Sequence, residues 1–329
     1  MPLPGWYTDG LNTTKEGENM DCGQFVEEQV KELRQTVGDQ IAVNALSGGV
    51  DSSVVTALGH RALGKQLKTV FVDNALMREG EPQRVVQAFA AMGIPVDLVD
   101  ARSEFLAALK GLTDPEEKRC AITSAFYKDV FGRIVKQSGA KFLLHGTILT
   151  DIEESVAGIK RQHNILSQLG IDPKQAYGYH VLEPLKTLRK DSVREVAACL
   201  GLPADITRRI PFPGPALATR IVGEVTEQRL ATVREATRIV EEELASTGAF
   251  QYLAVLLDDC ATGIRNGKRE FGQIIVVRCI ESTDARTATV TELSWEKLHG
   301  LAQRITSIPG VNRCLYDLTP KPPATVEYV

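Results

Sequence analysis

Apolar residues recur at helical spacing from Phe25 and Val26 through Val30 and Leu33 to Val37, and Gly38 then stops the run. The short apolar stretch Ile41 to Leu46 follows, with the length of a buried strand. The alternation continues: a helix from Ser53, a strand over Thr69 to Val72, a helix over Glu79 to Met92 and a strand over Val96 to Val99. Thr113 and Glu116, with Pro115 near the first turn, predict a capping box that opens a long helix to about Gln137. Phe142 to Leu144 predicts a further buried strand. Strands that alternate with helices in this way imply a parallel sheet, hence an α/β fold.

Residues 146–180 carry no strong period and predict a long connection of the kind that often serves as an active-site lid. A helix from Asp191 to about Cys199, ended by Gly201, closes this part of the chain near Pro203. Pro211, Pro213, Gly214 and Pro215 then interrupt any regular element. Beyond them the pattern predicts a helix (Glu227 to Ser246), strands (Tyr252 to Leu257, Ile274 to Ile280, near Thr287 to Thr291), a helix (Trp295 to Ile308) and a strand (Val311 to Tyr316). Strict alternation is lost, which predicts a smaller α+β domain with a partly antiparallel sheet. The expected segments are an N-terminal arm (1–22), an α/β domain (23–205) and an α+β domain (206–329).

A length of 329 residues fits two domains of ordinary size. The formal net charge of -4 supplies no positive field for nucleic acid. No stretch approaches eighteen consecutive apolar residues, and the first residues lack a basic-then-apolar leader. The expectation is a cytoplasmic protein with neither a nucleic-acid nor a membrane partner. The six cysteines, Cys22, Cys120, Cys199, Cys260, Cys279 and Cys314, have none of the short spacings of a zinc site, and each reads as a reduced thiol.

The strand Ile41 to Leu46 delivers the chain to Ser47-Gly48-Gly49-Val50-Asp51-Ser52-Ser53, and an apolar helix starts directly afterwards. Two glycines let the backbone approach an anion, while free N–H groups and the helix dipole favour negative charge there. Ser47, Ser52 and Ser53 add hydroxyl donors. Asp51 would repel phosphate directly, so its sensible role is to hold a Mg²⁺ that bridges phosphate oxygens. The loop lacks the lysine of a Walker-type sequence, which favours chemistry elsewhere on the nucleotide than at its terminal phosphoryl.

Ser47 to Ser53 resembles the PP-loop of ATP pyrophosphatases, which have an adenine-nucleotide α-hydrolase-like parallel sheet with helices on both faces. Further stretches are similar to the synthetase part of GMP synthase from about residue 24 onward: Phe71-Val72-Asp73-Asn74 with Arg78, Thr113 to Arg119, Gly146-Thr147, Asp151, Glu154-Ser155, Lys160, His163-Asn164, Pro211 to Pro215 and Lys321 to Thr325. That resemblance implies a ligase that uses ATP and Mg²⁺ to adenylate xanthosine monophosphate, releases pyrophosphate, and lets ammonia displace AMP to give GMP. It implies that Ser47 to Ser53, Val72, Asp73, Gly146 and Thr147 bind ATP or pyrophosphate. Asp51, Lys160 and Lys190 become the catalytic candidates, with Asp51 on the metal. Lys190, before the helix at Asp191, would reach either the pyrophosphate or only the helix entrance. Arg78, Asp151, Glu154, Ser155, His163, Arg220, Lys321, Thr325 and Glu327 would face the acceptor nucleotide. The family's α+β domain forms a homodimer, and ammonia would come from solution or from a separate glutamine amidotransferase subunit.

The likeness has gaps. Ile210 stands where the family carries His, Ala216-Leu217 replaces Gly-Leu, Arg161-Gln162 replaces Ser-His, and the chain ends in Tyr328-Val329 instead of an aromatic and an acid. Asp258 to Arg269 lacks the family's arginine-containing, glycine-rich run, and Cys260 falls near that arginine. These departures spare the loop and fall on the acceptor side. They leave open a PP-loop relative that adenylates another acceptor, with Cys120 or Cys260 in sulfur chemistry, and a noncatalytic nucleotide-binding regulator.

Overall fold

The computed structural model describes residues 21–156, 179–207, 212–283 and 286–329. The chain divides into two compact units. The first takes the described residues of Met1–Asn44, Val50–Lys68 and Ala140–Thr207; the second takes those of Ala45–Gly49, Thr69–Gly139 and Arg208–Val329. A five-stranded sheet contains β1 (Ala42–Ala45), β2 (Leu67–Asp73), β3 (Asp97–Asp100), β4 (Phe142–Leu144) and β5 (His180–Leu182), in the order β3-β2-β1-β4-β5. The pairings β1 with β4, β2 with β3 and β4 with β5 are parallel. The predicted parallel α/β architecture is therefore observed. The strand order reverses at β1, the point where open α/β sheets place ligands at the strand's carboxyl end.

In the first unit, the helix Cys22–Val37 starts at Asp21, whose carboxylate accepts from the Gly23 and Gln24 amides at 2.9 and 3.1 Å. It buries Val26, Val30, Leu33 and Val37 and packs on the helix Val50–Leu63. That second helix lies close over β4, because a Cβ at Gly59 would come within 2.6 Å of the Leu144 side chain. The helix Lys190–Cys199 buries Val193, Val196 and Ala197 and contacts both of these helices. A helix at Leu149–Val156 occupies part of the stretch expected to be a long connection.

The second unit corrects two expectations. Asp114, rather than Thr113, caps the helix Pro115–Ser124, accepting from the Glu116 and Glu117 amides at 2.9 and 3.0 Å. The predicted single helix to Gln137 is interrupted by a π-helical segment, Ala125–Phe131, before it resumes at Gly132–Ser138. Within the segment, Phe126 and Phe131 stack with ring centroids 5.7 Å apart.

The second sheet contains β6 (Gln251–Arg265), β7 (Lys268–Glu281), β8 (Thr289–Val290) and β9 (Val311–Tyr316). β7 pairs antiparallel with β6 and β8 and parallel with β9. This is the predicted α+β part with its mixed sheet. β6 and β7 run further than expected, because Asp258 to Arg269 forms the end of a hairpin. Asn266 and Gly267 both take positive φ, 51° and 75°, as a two-residue hairpin turn requires. The helices Glu227–Leu244 and Trp295–Ser307 start at Thr226 and Ser294, whose hydroxyls cap Arg229 and Lys297 amides. They bury Leu230, Val233, Ile239, Val240, Leu301 and Ile305 in one core with β6 and β7, while Trp295 is exposed.

Arg278, on β7 and almost wholly buried, pins the tail of the chain. Its guanidinium donates to Asp317 Oδ2 and the Thr319 carbonyl at 2.7 Å and to the Thr325 carbonyl at 2.9 Å. An Arg278→Met variant leaves that carboxylate and two carbonyls without their donor, so denaturant unfolding should show a loss of about 3–5 kcal/mol.

Candidate active site

β1 leads through Leu46, whose amide donates to the Val70 carbonyl at 2.9 Å, into the glycine-rich loop. Gly48 takes φ 79°, a conformation that suits glycine, and the Gly49 amide donates to Ser47 Oγ at 3.4 Å. Val50, Asp51, Ser52 and Ser53 already belong to the first turn of the helix Val50–Leu63. Amides at such a helix start have no carbonyl partner within the helix, which is what makes the place attractive to an anion. The Ser53 side chain is fully buried with its Oγ unpartnered, so it sits beneath the loop and not on its open side. Thr56, one turn further, donates its hydroxyl to the Ser52 carbonyl at 2.7 Å, and the same oxygen lies 3.2 Å from the side-chain amide of the buried Asn44. These bonds tie the helix start to β1.

Asp51 and Lys190 are brought together from positions 139 residues apart. The Lys190 ammonium donates to both carboxylate oxygens, at 2.9 and 2.6 Å. Lys190 is the first residue of its helix, where its charge opposes the helix dipole, and the Asp51 carboxylate offsets that cost. Both side chains are partly exposed, at 41% and 27%, so the pair is accessible to a ligand.

Gly146, following β4, closes against this turn. A Cβ there would lie 3.3 Å from the Ser52 nitrogen and 3.4 Å from the Asp51 carbonyl carbon. The next residue, Thr147, is buried and donates its hydroxyl to Glu183 Oε1 at 2.6 Å. That hydroxyl has one proton, so His145 Nδ1, 2.8 Å away, is the donor of the second bond. Asp151 turns back to accept from the Ile148 amide at 3.1 Å, and Glu153 holds Arg189 through two bonds at 2.6 and 3.1 Å. Sequence reasoning missed His145, Glu183 and Arg189, which carry no motif of their own.

A second group of predicted residues gathers in the second unit. Val72 is buried at the end of β2, and Asp73 Oδ1 accepts from the Ala75 amide at 3.1 Å. The turn after it is held by Arg234, which donates to the Ala75 and Met77 carbonyls at 2.5 and 3.0 Å. Asp73, Arg78, Asp100, Arg102, Glu227 and Arg234 help line a cleft of about 770 Å³. Arg78 donates to Glu241 at 2.5 Å, and its guanidinium lies 3.9 Å from the centroid of the Phe212 ring. Arg220 approaches that ring at 4.7 Å and pairs with Glu327 at 3.2 and 3.3 Å. Two cations share one aromatic ring, and Gln251 adds a 2.6 Å bond to Glu327.

The backbone beyond Arg220 is fixed from two directions. Lys118, buried, donates to the Ile221 carbonyl at 2.7 Å; burial, helped by the Arg229 charge, pushes its ammonium down to about 8. Arg229 holds the Val222 and Glu224 carbonyls at 2.7 and 2.9 Å. Thr325 offers its carbonyl to Arg278, and Lys321 exchanges main-chain bonds with Ala288 at 2.8 and 3.0 Å. Lys160 and His163, together with Ile210 and the side chains of Glu154 and Ser155, lie outside the described residues.

Residues 237–328 match the family described as GMP synthase C terminal domain, and residues 25–147 match the family described as Asparagine synthase. A curated relative from Archaeoglobus fulgidus, one subunit of a glutamine-hydrolyzing GMP synthase, is 50% identical over 310 residues, covering 94% of this chain and 100% of its own. The corresponding subunits from Methanopyrus kandleri and Pyrococcus horikoshii, which bear the same name, are 47% and 48% identical, each across 94% of this chain and 99% and 100% of their own lengths. The chain belongs to the GMP synthase family. As a member it is an ATP-using ligase. Among the described residues no helix is long and apolar enough to cross a membrane.

The fit of Gly146 against the helix start gives a test. Gly146→Ala sets a methyl group against backbone that cannot yield cheaply, so pyrophosphate release should fall roughly tenfold to a hundredfold while circular dichroism stays unchanged.

Proposed function

We propose that this member of the GMP synthase family adenylates the C2 oxygen of xanthosine monophosphate with ATP, releases pyrophosphate, and lets ammonia displace AMP to give GMP. The observation that carries the reading is the Asp51–Lys190 pair at the head of the helix that follows the glycine-rich loop. A carboxylate and an ammonium paired at an anion-seeking helix start suit a triphosphate whose charge shifts onto the departing pyrophosphate.

Ser47, Gly48, Gly49, Val50, Ser52 and Ser53 form the loop and the turn behind it for the phosphates, with Gly146 and Thr147 packed at its side. Lys190 leaves Asp51 for the phosphates when ATP arrives, and Lys160 adds a further positive charge. Asp51 would hold the Mg²⁺. The residues fit that ion: Asp51 offers a single part-exposed carboxylate at the helix start, and Mg²⁺ commonly binds one or two carboxylates, waters and substrate phosphates. When bound, Mg²⁺ neutralises charge on the leaving pyrophosphate.

Asp73, which helps line the 770 Å³ cleft, is assigned to the adenosine together with Val72 before it, whose side chain is buried. Arg78, Arg220, Lys321, Thr325 and Glu327 in the second unit are assigned to the acceptor, and Asp151, Glu154, Ser155 and His163 are its further candidates from the first part of the chain. Guanidinium groups are the natural partners of a nucleotide monophosphate, and the Phe212 ring holds two of them in a fixed spacing. Residues 23–205 act as the ATP pyrophosphatase domain and 206–329 as the acceptor and dimerisation domain, with the arm 1–22 ahead of them. The relatives are each named as one subunit of a glutamine-hydrolyzing enzyme, which supports a separate amidotransferase subunit as the source of ammonia.

Purified protein with Mg-ATP, xanthosine monophosphate and excess ammonium should form AMP, pyrophosphate and GMP together, and omission of any substrate should stop GMP formation. Pyrophosphate without GMP would overturn the acceptor assignment. Asp51→Asn should lower pyrophosphate release by about a hundredfold or more, and unchanged turnover in that variant would remove Asp51 from the metal site.

A further inference from the structure

The turn between β2 and the helix Glu81–Ala91 carries Asp73 at one end and Arg78 at the other, the residues assigned above to the adenosine and to the acceptor. Between them Ala75 takes φ 66°, left-handed backbone that an alanine keeps only where its surroundings hold it. Local bonds supply part of that hold. Asp73 Oδ1 accepts from the Ala75 amide at 3.1 Å, Asn74 Oδ1 from the Leu76 amide at 3.0 Å, and Glu81 Oε2 from the Arg78 amide at 3.2 Å. These bonds satisfy amides, and the carbonyls of the turn are met from further along the chain. The Leu217 amide donates to the Leu76 carbonyl at 3.0 Å, while Arg234 Nη2 and Nε donate to the Ala75 and Met77 carbonyls at 2.5 and 3.0 Å.

Arg234 stands on the helix Glu227–Leu244, which is fixed in the core by Leu230, Val233, Ile239 and Val240. Two turns further along the same helix, Glu241 takes the Arg78 guanidinium at 2.5 Å. One helix therefore grips the middle of the turn and its far end, all within the second unit.

We infer that Arg234 is a positioning residue for substrate binding: by bridging the Ala75 and Met77 carbonyls it keeps Ala75 left-handed, and so keeps Asp73 and Arg78 in the spacing that ATP and the acceptor require. The inference rests on the function proposed above. The planar guanidinium commits two donors to two carbonyls two residues apart, a fork that the point charge of an ammonium does not reproduce. Without the bridge, Ala75 relaxes towards the right-handed or extended backbone that an L-residue prefers. A glycine at position 75 has no such preference, so it separates an arginine that holds backbone from one that touches a ligand in the cleft.

Arg234→Met, Arg234→Lys and the double variant Arg234→Met/Ala75→Gly are compared with the unaltered chain by hydrogen–deuterium exchange, by calorimetric titration with Mg-ATP in the absence of acceptor, and by steady-state kinetics with Mg-ATP, xanthosine monophosphate and ammonium. In Arg234→Met, peptides spanning residues 73–78 should exchange about tenfold faster. The Kd for ATP and the KM values for ATP and xanthosine monophosphate should each rise about tenfold while kcat changes less than about threefold, because the turn binds both substrates and takes no part in the bond changes. Arg234→Lys should fall between, and the added glycine should recover most of the lost affinity. A loss of affinity that glycine does not recover makes Arg234 a ligand contact and overturns the proposal. Unchanged exchange and unchanged affinity, with only a lower melting midpoint, reduce Arg234 to a stabilising residue and overturn it equally. If the unaltered chain forms no GMP, the acceptor reading fails by itself, and exchange together with the ATP titration still decides the role of Arg234.

Discussion

A glycine-rich helix start that attracts anions holds an anionic side chain of its own, and this conflict organises the first unit. Asp51 cannot stand beside phosphate without a cation, and Lys190 cannot stand comfortably at the positive end of its own helix without an anion. The ion pair satisfies both demands. It also explains why a helix from late in the chain must return to the carboxyl end of β1, and why the small residue Gly146 is needed there. The proposed pyrophosphate leaving group fits because a cation beside Asp51 and a phosphate beside Lys190 would each carry the sign of the partner it replaces.

The second unit uses charge differently. Arg78, Arg220 and Arg278 are each nearly buried, and each is held by a carboxylate and either an aromatic ring or main-chain carbonyls. Buried guanidinium groups need several acceptors at fixed angles, so they impose order on the segments that provide them. Gly223, with φ 87° and the Asp258 carboxylate 2.3 Å from where a Cβ would stand, marks how tightly the turn after Arg220 is drawn against β6.

The fold was legible because its signal is local. Periodicity located the first helix, the strand Phe142–Leu144 and the strand Val311–Tyr316, and the heptapeptide from Ser47 marked the turn from β1 into the next helix. The hairpin end was missed because its apolar members, Ile264 and Phe271, are exposed and give no buried pattern. The Asn266-Gly267 pair was nevertheless a readable turn signal. The capping error at Thr113 arose because Asp114 satisfies the same orphan amides one residue later. His145 and Glu183 were beyond reach of sequence reasoning, since each acquires meaning only from Thr147, which meets both of them.

The π-helical segment Ala125–Phe131 bears on the history of the chain. A π turn is how a helix accommodates an additional residue while both flanks keep their orientation, and Ile122 before it and Val135 after it both remain buried. The stacked Phe126 and Phe131 rings, five positions apart, mark the widened turn. Length is therefore negotiable at this one place: a descendant could lose a residue here and retain both buried faces, a freedom that an uninterrupted α-helix would deny it.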